Sequence, residues 1–189
     1  MAVKLRHHKF TADQYLNMAE AGVLRHDDRV ELIEGEIIDM APIGNRHNSV
    51  VDCLAELFHD RLEHAANVRV QGSIRLNEKN QPQPDLVLLR RRADFYASGS
   101  AMPGDTLLVI EVADTTLAYD RDIKGRLYAE TGISEYWLVD LEAKTITVFR
   151  QPGTAGYGSV RTVSGNERIA PEALPKLEIS PSEVIPQPA

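Results

Sequence analysis

The sequence predicts a mixed α/β fold: a central mixed β-sheet flanked by helices, with a β-hairpin near the N-terminus. Two observations carry that expectation. A helical pattern stands between an early β-meander and a later group of strands. Two short runs, Leu86–Leu89 and Leu107–Val112, are almost continuously apolar, which marks strands that lie centrally and are covered on both faces.

The elements follow in order. Thr11-Ala12-Asp13-Gln14 fits a capped helix start, and the helix through Tyr15, Leu16 and Met18 should stop near Gly22. Val30–Ile33 and Glu36–Met40 flank Glu34-Gly35, the pattern of a tight hairpin, and Pro42 and Gly44 then break the strand. From Asn48 to about Glu63, Val50, Val51, Leu54, Leu57, Phe58 and Leu62 recur at helical spacing. A strand is expected over Val68–Leu76, then the turn-rich Asn77–Pro82, then the strand opened by Asp85. Arg91–Asp105 reads as a polar loop with a short helix, leading into the Glu111 strand. Asp120–Glu130 is expected to be a helix ended by Gly132, with Ile123, Leu127 and Tyr128 on one stripe. Glu135–Asp140 and Lys144–Arg150 read as a strand pair, and the glycine- and proline-rich remainder as short strands and turns.

The chain has 189 residues, which suits one domain over 1–189, with a core of about 10–179 and a loose tail at 180–189. Hydrophobic residues at 43% and charged residues at 26% disfavour disordered and membrane classes. No apolar run approaches a membrane span and the start lacks a signal-peptide stretch, so a cytoplasmic protein is expected. The single cysteine, Cys53, agrees with a reducing compartment and excludes a cysteine-built zinc site. A net charge of −7 counts weakly against nucleic-acid binding, because a bound cation reverses the sign of a carboxylate-lined site. Positive charge clusters at Arg90-Arg91-Arg92, a weak candidate for phosphate contact beside the plainer reading of a solvated loop.

The chemistry gathers around Asp85, Glu111 and Lys124. Carboxylates seldom sit inside sheet cores unless paired, hydrogen-bonded or holding a metal, because a buried unpaired charge is too costly. Asp85 opens one apolar strand, Glu111 interrupts the other, and Lys124 lies on the helix that follows. Two carboxylates on neighbouring apolar strands with a lysine in reach point to a divalent-metal hydrolytic site. Taken singly, each has a bland reading: Asp85 as a strand or turn start, Glu111 as a paired core acid, Lys124 as a solvated lysine or a partner of Asp120. Glu34, His47 and Asp120 form a second tier of candidates. Asp114, Thr115 and Thr116 read as a helix cap, and Tyr128 and Trp137 as core. No nucleophile elbow, P-loop, dinucleotide fingerprint or His-Glu-x-x-His helix occurs.

The ordered set of a Glu-Gly hairpin, a His-bearing helix start, Pro84-Asp85, Ile110-Glu111-Val112-Ala113-Asp114-Thr115-Thr116, Asp120-x-x-x-Lys124-x-x-x-Tyr128 and Gly132-Ile133-Ser134-Glu135-Tyr136-Trp137-Leu138-Val139-Asp140 resembles the Uma2 family. That family stands in the PD-(D/E)xK restriction-endonuclease-like superfamily. The resemblance runs from about Phe10 to Arg150 and more loosely to Glu178. It implies a restriction-endonuclease-like fold in which Asp85 and Glu111 bind Mg²⁺ or Mn²⁺ and water attacks a phosphodiester of nucleic acid, with DNA favoured. The superfamily lysine two residues after the glutamate is replaced by Ala113 here, and the resemblance makes Lys124 its substitute. A homodimer is expected by analogy, since cleaving both strands of a duplex favours two sites. The rival expectation is a non-catalytic module that keeps the fold and serves as an assembly or regulatory partner.

Overall fold

A computed structural model describes residues 7–25 and 27–185. Helix α1 spans Ala12–Glu20 and begins with the expected capping box, the Thr11 and Gln14 side chains each accepting the other's backbone N–H. Strands β1 (Val30–Ile33) and β2 (Glu36–Asp39) form a separate antiparallel hairpin. Its turn needs left-handed backbone at Glu34 and Gly35, and a Cβ on Gly35 would lie 2.9 Å from the Lys9 Cβ, so glycine is required there. Helix α2 (Asn45–Arg61) starts three residues earlier than the periodicity suggests, directly after Gly44.

Six strands make the main sheet: β3 (Ala66–Val70), β4 (Leu86–Arg90), β5 (Thr106–Ala113), β6 (Glu135–Asp140), β7 (Thr145–Gly153) and β8 (Gly156–Ser164). They lie in sequence order, and only β5 and β6 run parallel, which gives the mixed sheet the sequence predicts. Strand β3 ends at Val70 rather than Leu76, because Gln71 turns left-handed and its N–H bonds the Asp85 carbonyl. Strand β8 is a continuous nine-residue edge strand where broken pieces were expected: Gly153 and Gly156 flank its hairpin turn instead of interrupting it.

Alternation along the central strands sorts the core into two layers. Leu86, Leu88, Ile110, Val112, Trp137 and Val139 face α2, packing with Val50, Val51, Leu54 and Phe58. Val87, Leu89, Val109, Ala113, Tyr136 and Leu138 face the other way, onto Leu127 and Tyr128 of α4 (Gly125–Glu130) and Ile33 of the hairpin. Short α3 (Leu117–Tyr119) and a π turn over Asp120–Lys124 lead into α4.

The end of the chain corrects one expectation. Residues 180–185, read from the sequence as tail, carry helix α5 (Pro181–Val184), with Val184 and Ile185 in the α2 layer and Arg61 3.0 Å from Glu183. Pro181 and Val184, buried three residues apart, and the neighbouring Ile185 are enough to dock a segment that its prolines make look loose. Residues 186–189 of that expected tail lie outside the described residues. Among the described residues no helix is long and apolar enough to cross a membrane.

Candidate active site

The alternation that builds the core also aims the acidic side chains. Glu111 shares its face of β5 with Val109 and Ala113, so its carboxylate points towards the π turn and α4, away from α2. Asp85 has the parity of Val87 and Leu89 and stands at the start of β4, level with the end of β5. The Asp85 Oδ2 accepts the Val112 N–H at 2.9 Å, a bond between the two strands that fixes the carboxylate beside Glu111. Both residues are buried, 8% and 3% exposed.

Lys124 reaches this pair. Its Nζ lies 3.0 Å from Glu111 Oε1 and 3.2 Å from Glu31 Oε2, and the side chain is almost wholly buried. The Tyr128 hydroxyl donates to the same Glu111 oxygen at 2.6 Å, and the Tyr119 hydroxyl to Glu31 Oε1 at 3.0 Å. On the other side, His47 Nε2 stands 3.0 Å from Asp85 Oδ2, while His47 Nδ1 is buried with no hydrogen-bond partner among the described residues. Asp120 accepts from the Thr116 hydroxyl. Asp85, Glu111, Lys124, His47, Asp120 and Glu31 all line one cavity of about 450 Å³ between the hairpin, the start of α2 and the ends of β4 and β5.

Crowding of acids in a dry place sets the electrostatics. Burial pushes the Glu111 carboxyl well above the usual range, and Asp120, Asp85 and Glu31 add to that push against the pull of Lys124. Burial raises Asp120 to about 6, again with Lys124 opposing and Asp85 and Glu31 contributing. Burial alone would lower Lys124, but Glu111, Glu31 and Asp120 outweigh it and hold the ammonium above the usual lysine range. The site is one buried cation surrounded by acids, and it retains protons longer than free carboxylates would.

A prediction follows for Asp120. A carboxyl raised in the folded state binds its proton there at a pH where the unfolded chain has released it. Stability is therefore fully present below about pH 4 and declines as pH rises through about 6. Asp120→Asn removes that decline. Relative to the parent, this variant should gain up to about 3 kcal/mol between the two ends of the window. Urea unfolding of both proteins at about pH 4 and pH 7 measures it, and parallel pH profiles would contradict it.

The structure brings together Asp85, Glu111, Lys124, His47 and Asp120, and leaves other candidates elsewhere. Glu34 sits in the left-handed turn of the hairpin and pairs with the exposed Arg126 at 3.1 Å, outside the cavity. Arg90, Arg91 and Arg92 lie at the opposite end of β4 from Asp85, where they bond the Gly104 carbonyl, Asn67 and Asp94. Thr116 precedes α3 but its hydroxyl goes to Asp120 rather than capping the helix. Trp137 is core, its indole N–H on Glu135, and Tyr128 is both core and a donor to Glu111.

Glu31 is the residue that sequence reasoning missed. It is 2% exposed on a strand whose four residues are all buried, and it holds Lys124, the Tyr119 hydroxyl and the Gln83 N–H. A carboxylate interrupting Val30-Glu31-Leu32-Ile33 is the same signal that singled out Glu111. The hairpin turn drew attention to Glu34 instead.

A family model, Uma2, described as "Putative restriction endonuclease", matches residues 12–182. The chain belongs to the Uma2 family. A solved structure similar to this Uma2 chain is described as that of "a putative nuclease belonging to DUF820" from Anabaena variabilis, with a TM-score of 0.72 at 16% identity. The match covers 93% of this chain and 97% of that one, so the two share the mixed α/β fold over nearly the whole length. No curated protein matches the chain.

The donor set suits a hard divalent cation in chemistry. Asp85 and Glu111 line the cavity, and among the described residues no hydrogen-bond donor reaches Asp85 Oδ1 or Glu111 Oε2. Among the same residues, no three His, Cys, Asp or Glu side chains form a ready-made metal cluster. A cation here would take two protein carboxylates and complete its shell with water or substrate, as Mg²⁺ commonly does.

Proposed function

We propose that this Uma2 protein is a divalent-metal-dependent endonuclease that hydrolyses phosphodiester bonds of nucleic acid, with DNA the favoured substrate. The observation that carries the reading is the meeting of Asp85, Glu111 and Lys124 in one cavity, each carboxylate keeping one oxygen without a donor. Asp85 and Glu111 would hold Mg²⁺ or Mn²⁺. When bound, such a cation supplies Lewis acidity and a water of lowered pKa.

The chain's own groups do the rest. Lys124 sets a fixed positive charge beside the carboxylates, suited to orienting a water or to countering charge that develops on a phosphoryl oxygen. Glu31 holds that ammonium and Tyr128 holds the Glu111 carboxylate, so neither has to reorganise during the reaction. The Val112 N–H and His47 keep Asp85 Oδ2 occupied, and among the described residues no donor takes up Oδ1. Asp120, raised to about 6, can accept a proton at its Oδ1 near neutral pH. The acidic net charge is compatible with a nucleic-acid substrate because the cation reverses the local sign. The reading takes the chain as one cytoplasmic domain working as a homodimer, with one site for each strand of a duplex.

The test is incubation of purified protein with single-stranded DNA, double-stranded DNA and RNA, with and without Mg²⁺ or Mn²⁺. Cutting is expected only with metal, and Asp85→Ala and Glu111→Ala should each abolish it. Metal-dependent cutting that survives both substitutions rejects the assignment. A protein that cuts nothing and takes up no Mn²⁺ at millimolar concentration by calorimetry would favour the non-catalytic module.

A further inference from the structure

The Asp120–Lys124 segment is a π turn, a conformation that costs regular hydrogen bonding and tends to occur where function demands it. Here the Asp120 carbonyl accepts two donors. One is the Gly125 N–H, five residues on, and the other is the Tyr136 hydroxyl at 3.1 Å, rising from β6 beneath. Gly125 and Tyr136 are fitted to each other: a Cβ on Gly125 would meet the Tyr136 ring at 3.3 Å and the Asp120 carbonyl at 3.4 Å. The Tyr136 ring is itself wedged against Tyr128 and Phe149, each with centroids 5.2 Å away.

The consequence is angular. Along a regular α-helix, residues four apart drift by roughly 40°, so Asp120, Lys124 and Tyr128 would fan over roughly 80°. A π turn advances only roughly 80° per residue, which makes its four-residue step fall short of a full turn by roughly 30°. The two steps then cancel to within about 10°. Asp120 and Tyr128 return to nearly the same angle with Lys124 offset by roughly 30–40°, so the three share a face roughly 40° wide instead of fanning over roughly 80°. Lys124 and Tyr128 both reach Glu111 Oε1 from that narrowed face.

We propose that Tyr136 is a positioning residue whose hydroxyl, bonded to the Asp120 carbonyl over the space left by Gly125, holds the π turn open and thereby sets Lys124 between Glu31 and Glu111. Tyr136 does not touch the cavity carboxylates and acts only through the turn. Its consequence for cutting rests on the nuclease reading above, whereas the placement of Lys124 does not.

The experiment therefore reads Lys124 directly. In protein carrying nitrogen-labelled lysine, a buried ion-paired ammonium gives a protected side-chain resonance, assigned to Lys124 by its loss in Lys124→Arg. Tyr136→Phe is expected to shift or abolish that resonance. Tyr157→Phe is the control: it deletes a hydroxyl from the same aromatic group, one bonded to the Ile133 carbonyl at 2.9 Å and not to the π turn. It should lower the melting temperature comparably while leaving the Lys124 signal in place. Gly125→Ala, which crowds the Tyr136 ring, should repeat the effect of Tyr136→Phe and serves if the latter fails to fold. A folded Tyr136→Phe or Gly125→Ala protein with an unmoved Lys124 resonance overturns the proposal, as does a Tyr157→Phe protein that moves it equally. These outcomes are read whether or not the chain cuts nucleic acid.

Discussion

Lys124→Met is expected to destabilise the protein by about 3–5 kcal/mol at neutral pH, the scale seen when one partner of a buried ion pair is removed. The reason is what the ammonium leaves behind. Glu31 and Glu111 are 2% and 3% exposed and both lie within about 3.2 Å of the Lys124 nitrogen. Tyr119 and Tyr128 would still donate to them, but no other cation contacts either carboxylate among the described residues. The deficit should also depend on pH. Burial already holds the Glu111 carboxyl well above its usual range, and loss of Lys124 removes the largest force pulling it down. A carboxyl raised in this way favours the folded state while it is protonated and loses that contribution as pH rises through its folded value. The cost of the substitution is therefore smallest at acidic pH and grows as pH rises. Urea unfolding across a pH series measures it. A deficit below about 1 kcal/mol, or one independent of pH, would mean that Lys124 is not the charge that makes this acidic cavity tolerable. Under the nuclease reading the same variant should also cut at least about a hundredfold more slowly, the loss expected when a fixed electrostatic donor is deleted.

Glu111→Gln should behave in the opposite way. The amide fills the same space, keeps an oxygen for the Tyr128 hydroxyl and removes a carboxylate that burial disfavours. Lys124 retains Glu31 as its counter-charge. Stability should stay within about 1 kcal/mol of the parent or rise slightly. Metal-dependent cutting should nevertheless fall by at least about a hundredfold, because a ligand charge worth several kcal/mol to a bound divalent cation is gone. Calorimetry with Mn²⁺ beside a thermal melt separates the two effects. Unimpaired Mn²⁺ uptake and cutting by Glu111→Gln would remove Glu111 from the cation site. Substitution of the cation would thus harm the fold, and substitution of the carboxylate would harm only the chemistry.

Much of this site was legible before any coordinates. Asp85 and Glu111 stand out because charge inside an apolar strand needs a reason, and the apolar runs around them identify the central strands. Glu31 carries the same signal in a shorter strand and was passed over for Glu34, one residue of the turn that defines the hairpin. Lys124 has no local signal of its own, since a lysine on a helix is ordinarily solvated, and only its place in the constellation with Asp85 and Glu111, together with the family resemblance, singles it out. Strand β8 was obscured because one face of an edge strand is exposed and its glycines mimic turns. The segment 180–185 was obscured because docking depends on what α2 offers from more than a hundred residues away.

What the amino-acid order determined by itself is local: which strands are buried on both faces, where the hairpin must turn, and that two carboxylates lie in apolar surroundings. These follow from side-chain periodicity and the cost of burying charge, both of which act over a few residues. Only the tertiary structure decided that Glu31 and Glu111, eighty residues apart, share one ammonium, and that His47 stands on Asp85. It also decided that the helix before Gly125 opens into a π turn, because the hydroxyl that holds it comes from β6. Such choices depend on distances of a few ångströms between separate elements, and packing sets those distances once the chain has closed on itself.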